Sequence, residues 1–192
     1  MSKVALSGNA SGTGTFTIAS PNSNTDRTLN LPDASGTILT TATPGVPVNG
    51  PAFSASMSAS QSISAATITK IVFNTETFDT NANYDPTTNY RFQPTVAGYY
   101  QMNLNIWLRS NGGAGIAHYS YIMKNGSTTV GFMDNDAPAS GFDTATPVTA
   151  LVYLNGSTDY LEAFARVSGG TGTVCSNNPT LATFSGSLVR AA

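Results

Sequence analysis

The stretch Tyr99-Tyr100-Gln101-Met102-Asn103-Leu104-Asn105-Ile106-Trp107-Leu108 decides the fold. Tyr100, Met102, Leu104, Ile106 and Leu108 fall on one side of an extended chain, and Gln101, Asn103 and Asn105 on the other. Side chains alternate across a strand with a period of two, so the pattern predicts a half-buried β-strand. The same reading extends outward to strands over 53–58, 67–73, 116–123, 148–154, 160–167 and 181–189, rich in Val, Ile, Thr, Tyr and Phe. Asn125-Gly126 and Asn155-Gly156 supply hairpin turns, and a loop of Asp, Asn, Tyr and Pro spans 79–89. Eight or so antiparallel strands in this length predict an all-β, two-sheet sandwich of jelly-roll type.

Three segments are expected. Residues 44–51 carry three prolines and two glycines in eight positions, which breaks ladder and helix alike and marks a linker. Residues 52–192 form the sandwich head. Residues 1–43 form a short β-strand arm, with Phe16 and Ile18 on one strand face, Leu29 and Leu31 on another and Ile38 on a third. Strands this short cannot bury a core alone, so these five residues are docking candidates, against copies of themselves or another surface. That requirement points to an oligomer.

Only 9% of the 192 residues are charged, against roughly 25% in an average globular protein. The surface must be covered by Ser, Thr, Asn and Gly, which suits oligomers and shells whose faces are buried against neighbours. A net charge of −2 without a basic run argues against a nucleic-acid partner. No apolar run reaches the ~18 residues that span a bilayer, and residues 1–8 lack the apolar core of a secretory signal. No membrane partner and assembly in a host cytoplasm are therefore expected. The single cysteine, Cys175, leaves no internal disulfide and reads as a small buried residue.

Catalysis is not expected. His118 is the only histidine, it sits mid-strand, and no Gly-x-Ser-x-Gly elbow accompanies it. It reads as structural. Asp134, Asp136 and Asp143 cluster in what reads as one loop, and their hard oxygens make them the calcium candidates; no other cofactor is indicated. Aromatic and amide groups near Phe132, Met133, Phe142, Tyr84 and Tyr90 could stack on sugar rings, although Phe132 and Phe142 read as core residues at strand ends. Tyr99, Trp107, Tyr119 and Tyr121 stand out of register with the aliphatic face. They either fill a second face of the core or line a subunit interface.

The head resembles a known family in an ordered set of motifs. These are Phe53-Ser54-Ala55, Ile71-Val72-Phe73-Asn74, Tyr90-Arg91-Phe92, Pro94-Thr95-Val96-Ala97-Gly98-Tyr99-Tyr100, Lys124-Asn125-Gly126 and the closing Ala182-Thr183-Phe184-Ser185-Gly186-Ser187-Leu188-Val189. Together they look like the globular head of complement component one-q and its tumour-necrosis-factor-like relatives. The resemblance implies a homotrimeric jelly roll, with calcium near the three-fold axis in some members. Asn155-Gly156-Ser157-Thr158-Asp159 departs from the Gly-Asp that often stands there.

The arm, with Gly14-Thr15-Phe16-Thr17-Ile18-Ala19 and Arg27-Thr28-Leu29-Asn30-Leu31-Pro32-Asp33-Ala34-Ser35-Gly36-Thr37, is similar to a module of bacteriophage fibre and tail proteins. The pair of resemblances implies a virion surface protein: a short head fibre or capsid decoration (cement) trimer, partnered by capsid or tail proteins. The alternative is the receptor-binding tip of a tail fibre, an adhesin for a host surface glycan or protein.

Overall fold

The computed structural model describes residues 11–15, 17, 22–26, 28, 50–112, 115–175 and 178–192. The chain divides into two compact units, Met1–Ile38 and Leu39–Ala192. The docking candidates Phe16, Ile18, Leu29, Leu31 and Ile38 lie outside the described residues.

Every strand described belongs to the second unit. A five-stranded sheet contains β1 (Ala52–Ser56), β4 (Thr75–Asp79), β7 (Ala97–Asn105), β12 (Val148–Asn155) and β15 (Thr183–Ala191), in the order β12-β7-β15-β1-β4. A second sheet contains β5 (Tyr84–Asp85), β6 (Arg91–Phe92), β9 (Ile116–Lys124), β10 (Thr128–Ala137) and β13 (Leu161–Val167), in the order β10-β9-β13-β6-β5, with β3 (Thr69–Lys70) paired to β13. A smaller sheet orders β11 (Asp143–Ala145), β8 (Trp107–Ser110), β14 (Gly172–Val174) and β2 (Gln61–Ile63) as β11-β8-β14-β2. The strand pairings are antiparallel. Among the described residues the only helical element is a 3-10 turn, Pro179–Leu181, and no helix is long and apolar enough to cross a membrane.

The alternation across 99–108 is realised as expected. Tyr100, Met102, Leu104, Ile106 and Leu108 are all buried, and the strand breaks only at Ile106, between β7 and β8. Aromatic rings fill the centre. Phe53 is sandwiched between Tyr84 and Phe92, with ring centroids 4.8 and 4.4 Å away, and meets Phe184 edge-on at 5.2 Å. Each buried phenol finds an acceptor: Tyr84 donates to the Phe73 carbonyl at 2.8 Å and Tyr100 to the Val96 carbonyl at 2.7 Å.

Both Asn-Gly turns form, with different roles. Asn125 and Gly126 both take positive φ, +55° and +71°, at the centre of the tight turn between β9 and β10 that the Ser127 N–H closes onto the Lys124 carbonyl. Asn155-Gly156 is not a hairpin: β12 pairs with β7 and β13 with β9, so this turn carries the chain from one sheet to the other. The Asn155 side-chain oxygen accepts from the backbone N–H groups of Ser157, Thr158 and Asp159 at 3.0 Å each, which holds the crossing. Gly156 has φ +70°, and a β-carbon there would lie 2.4 Å from the Ala97 nitrogen, so only glycine fits.

Candidate functional site

Three surfaces could carry function. The first is the outer face of the five-stranded sheet. Its cross-strand rows run Leu151, Gln101, Ser187 and Ala52, then Thr149, Asn103, Ser185 and Ser54. Neither row contains an ionisable group. Leu151 is 63% exposed, and beside it the Tyr99 and Tyr153 rings lie 5.5 Å apart in the open. These two rows carry no charge, and with a bare leucine among them they have the composition of an interface core; Arg190 stands exposed opposite Tyr99 in the row beside them.

The second surface lies on the six-stranded sheet. Tyr119, Tyr121 and Phe132 cluster with centroids 5.2 to 6.3 Å apart, and the Arg166 guanidinium sits 5.0 Å over Tyr119. The four tyrosine and tryptophan candidates are thus divided. Tyr99 faces out from one sheet, Tyr119 and Tyr121 share the other, and Trp107 packs partly against the core from the small sheet.

The third surface is a cleft of about 310 Å³ formed around β5 and β6, lined by Asn83, Asp85, Asn89, Arg91, Gln93 and Thr95 among others. Asp85 is fully engaged: Thr87, Thr88 and Asn89 donate backbone N–H groups to it at 2.9 to 3.0 Å. Those bonds hold its carboxyl well below the usual carboxylate range. The sequence pointed here through the amide groups near Tyr84 and Tyr90 and did not single out Arg91. The available signal was Arg91, one of only eight Lys and Arg residues.

Several expectations need correction. Asp134 and Asp136 do not lie in a loop with Asp143. They stand in strand β10, opposite Tyr119 and Ala117, while Asp143 is in β11 and accepts from Arg109 Nε at 3.1 Å and Nη2 at 2.6 Å. Among the described residues no three Asp, Glu, His or Cys side chains converge on a metal-sized space. Phe132 and Phe142 are not core residues either: they are 52% and 58% exposed, so ordinary hydrophobic burial does not account for them. Tyr84 is core, not surface.

His118 is fully buried, and its Nε2 lies 3.0 Å from the Ser110 hydroxyl. Burial lowers its pKa, opposed by the nearby Asp136 and Asp143 charges. The unfolded chain takes up a proton near pH 6.5 and the folded chain resists it, so this contribution to stability is complete above about pH 6.5. It is lost as pH falls toward the depressed folded value, at up to about 1.4 kcal/mol per pH unit. Thermal melts from about pH 7.5 to 5 should show this slope, and His118→Gln should flatten it. An unchanged slope in the variant would remove His118 as the cause. Cys175 is buried as expected, with its thiol pushed up to about 11 by burial.

A C1q domain model matches residues 52–189, almost the whole head and well over half of the chain. The chain belongs to the C1q family. The C1q head is similar in fold to Eiger, a tumour-necrosis-factor protein of S. frugiperda, at a TM-score of 0.53 and 12% identity over 78% of this chain and 96% of that one. Murine APRIL gives 0.52 and 9% over 73% and 99%. The PRD1 vertex protein P5 gives 0.48 and 15% over 72% and 96%. At these identities the likeness concerns the fold alone. No curated protein sequence matches the chain.

Proposed function

We propose that this protein is a non-enzymatic structural component of a bacteriophage virion surface, a homotrimeric short head fibre or capsid decoration protein. Two uncharged cross-strand rows on the outer face of the five-stranded sheet carry the reading. The Leu151–Gln101–Ser187 row offers nothing that resists burial against a second copy, and C1q heads are typically trimeric. The phage-fibre-like sequence over 14–37 supports the virion location and gives the arm its docking role.

Removing residues 1–43 should leave a trimeric head that no longer binds particles, as read by co-sedimentation with arm-deficient virions. A truncated head that still decorates the particle would end the docking assignment. A second reading, the receptor-binding tip of a tail fibre, is favoured by the exposed Tyr119–Tyr121–Phe132 cluster and by Phe142. Copy number separates the two: a decoration protein covers the shell in scores of copies or more, and a tip occurs in a few tens at most (order-of-magnitude expectations from assembly symmetry).

A further inference from the structure

Arg91 is a half-buried cation that makes no ion pair among the described residues. The ion pairs there join Lys70 to Glu162, Arg109 to Asp143 and Lys124 to Asp159. Its guanidinium is nevertheless held in place. It lies 4.4 Å over the Tyr160 ring, and Nη2 donates to Gln93 Oε1 at 2.8 Å. Gln93 is fixed in turn, because its Nε2 donates to the Ser157 carbonyl at 2.8 Å. One of five guanidinium N–H donors is thereby used, and the group borders the 310 Å³ cleft.

A positioned, partly desolvated guanidinium favours a planar carboxylate that it can grip with two parallel hydrogen bonds. The one acid in the cleft wall cannot serve. The Asp85 oxygens are taken by three backbone N–H groups, the Thr87 hydroxyl and the Asn89 amide. The wall is also braced in an uncommon backbone. Ala82 and Tyr90, both within the stretch 82–95 that forms most of it, have φ of +51° and +49° without being glycine.

The space is larger than the stem of an acidic side chain would fill, and it stands at the lower end of small-ligand sites, where a single sugar ring fits. Its other polar groups are amides and hydroxyls, which suit ring hydroxyls. We propose that this cleft binds the carboxylate of an acidic sugar, a hexuronate residue, with Arg91 on the carboxylate and Asn89 and Thr95 on the hydroxyls. The cleft is built within one protomer, so the assignment stands apart from the trimer and from capsid or tail attachment.

Calorimetry of the full chain with sodium D-glucuronate, D-galacturonate, D-glucose and sodium acetate tests this. At least one uronate should bind in the millimolar range, with glucose and acetate at least about tenfold weaker. Arg91→Gln should weaken uronate binding by at least about tenfold in a protein that still shows a cooperative melt. Should Arg91→Gln fail to fold, Thr95→Tyr, which fills the mouth from an exposed position, must abolish binding instead. Four results would each overturn the proposal: no uronate heat up to roughly 50 mM, glucose binding as well as uronate, acetate binding as tightly as uronate, or uronate binding retained in the folded variant.

Discussion

Leu151→Glu should convert the proposed trimer into 19.8 kDa monomers at micromolar concentration. Leu151 stands on the outer face of the five-stranded sheet, in an uncharged row with Gln101 and Ser187. In a trimer built through that face the substitution places three carboxylates in the interface at once. Each would lose its hydration with no partner cation in the row, at a cost of several kcal/mol per ion. The folded monomer should hardly notice, since Leu151 is 63% exposed within one chain. Sedimentation equilibrium reads the mass, and Thr128→Glu, at an exposed position on the other sheet, is the control. A Leu151→Glu protein that remains trimeric would move the interface elsewhere, with the Tyr119–Tyr121–Phe132 cluster next in line.

Phe53→Ala should be the most damaging single change to the head itself. The ring is stacked on both faces and touched at its edge by a third aromatic. Truncation removes the buried ring and leaves a cavity between the two sheets, a change that costs about 3–5 kcal/mol. For a domain of this size that corresponds to a midpoint lower by roughly 10 °C. Phe53→Leu keeps most of the volume and forfeits the ring contacts, so its loss should be nearer 1–2 kcal/mol. A thermal or denaturant midpoint that moves less for Ala than for Leu would mean that the sheets close over the gap.

These expectations rest on strands of unequal legibility. Strand β7 was plain in the sequence because one face is buried and the other carries Gln and Asn. Strand β10 was hidden. Asp134-Asn135-Asp136 reads as loop chemistry, yet it pairs with β9 on a face where exposed polar residues are tolerated. The register shift between Thr129 and Gly131 breaks the alternation that would have exposed the strand. Gly131 itself is required there, since a β-carbon would lie 2.7 Å from Val148 Cγ1.

The candidate sites were less readable for a related reason. Alternation says which residues share a face, and it cannot say whether that face meets a core, a partner or water. Tyr99 and Tyr121 look alike in the sequence, and the structure sets them on different sheets. The cleft at Arg91 is made mostly by residues 82–95, folded together by the β5–β6 pairing, and the turn after Asn155-Gly156 adds Ser157.

Strand β1 has a mechanical consequence. It lies between β15 and β4, paired along its length to both, and the chain reaches it directly from residue 50. Antiparallel ladder bonds run perpendicular to the strands. A tug transmitted through residue 50 while the far end of the head is held would therefore act along β1 and load its hydrogen bonds together, in shear. They would not open one by one like a zipper. A tethered head of this build should yield abruptly and only at high force.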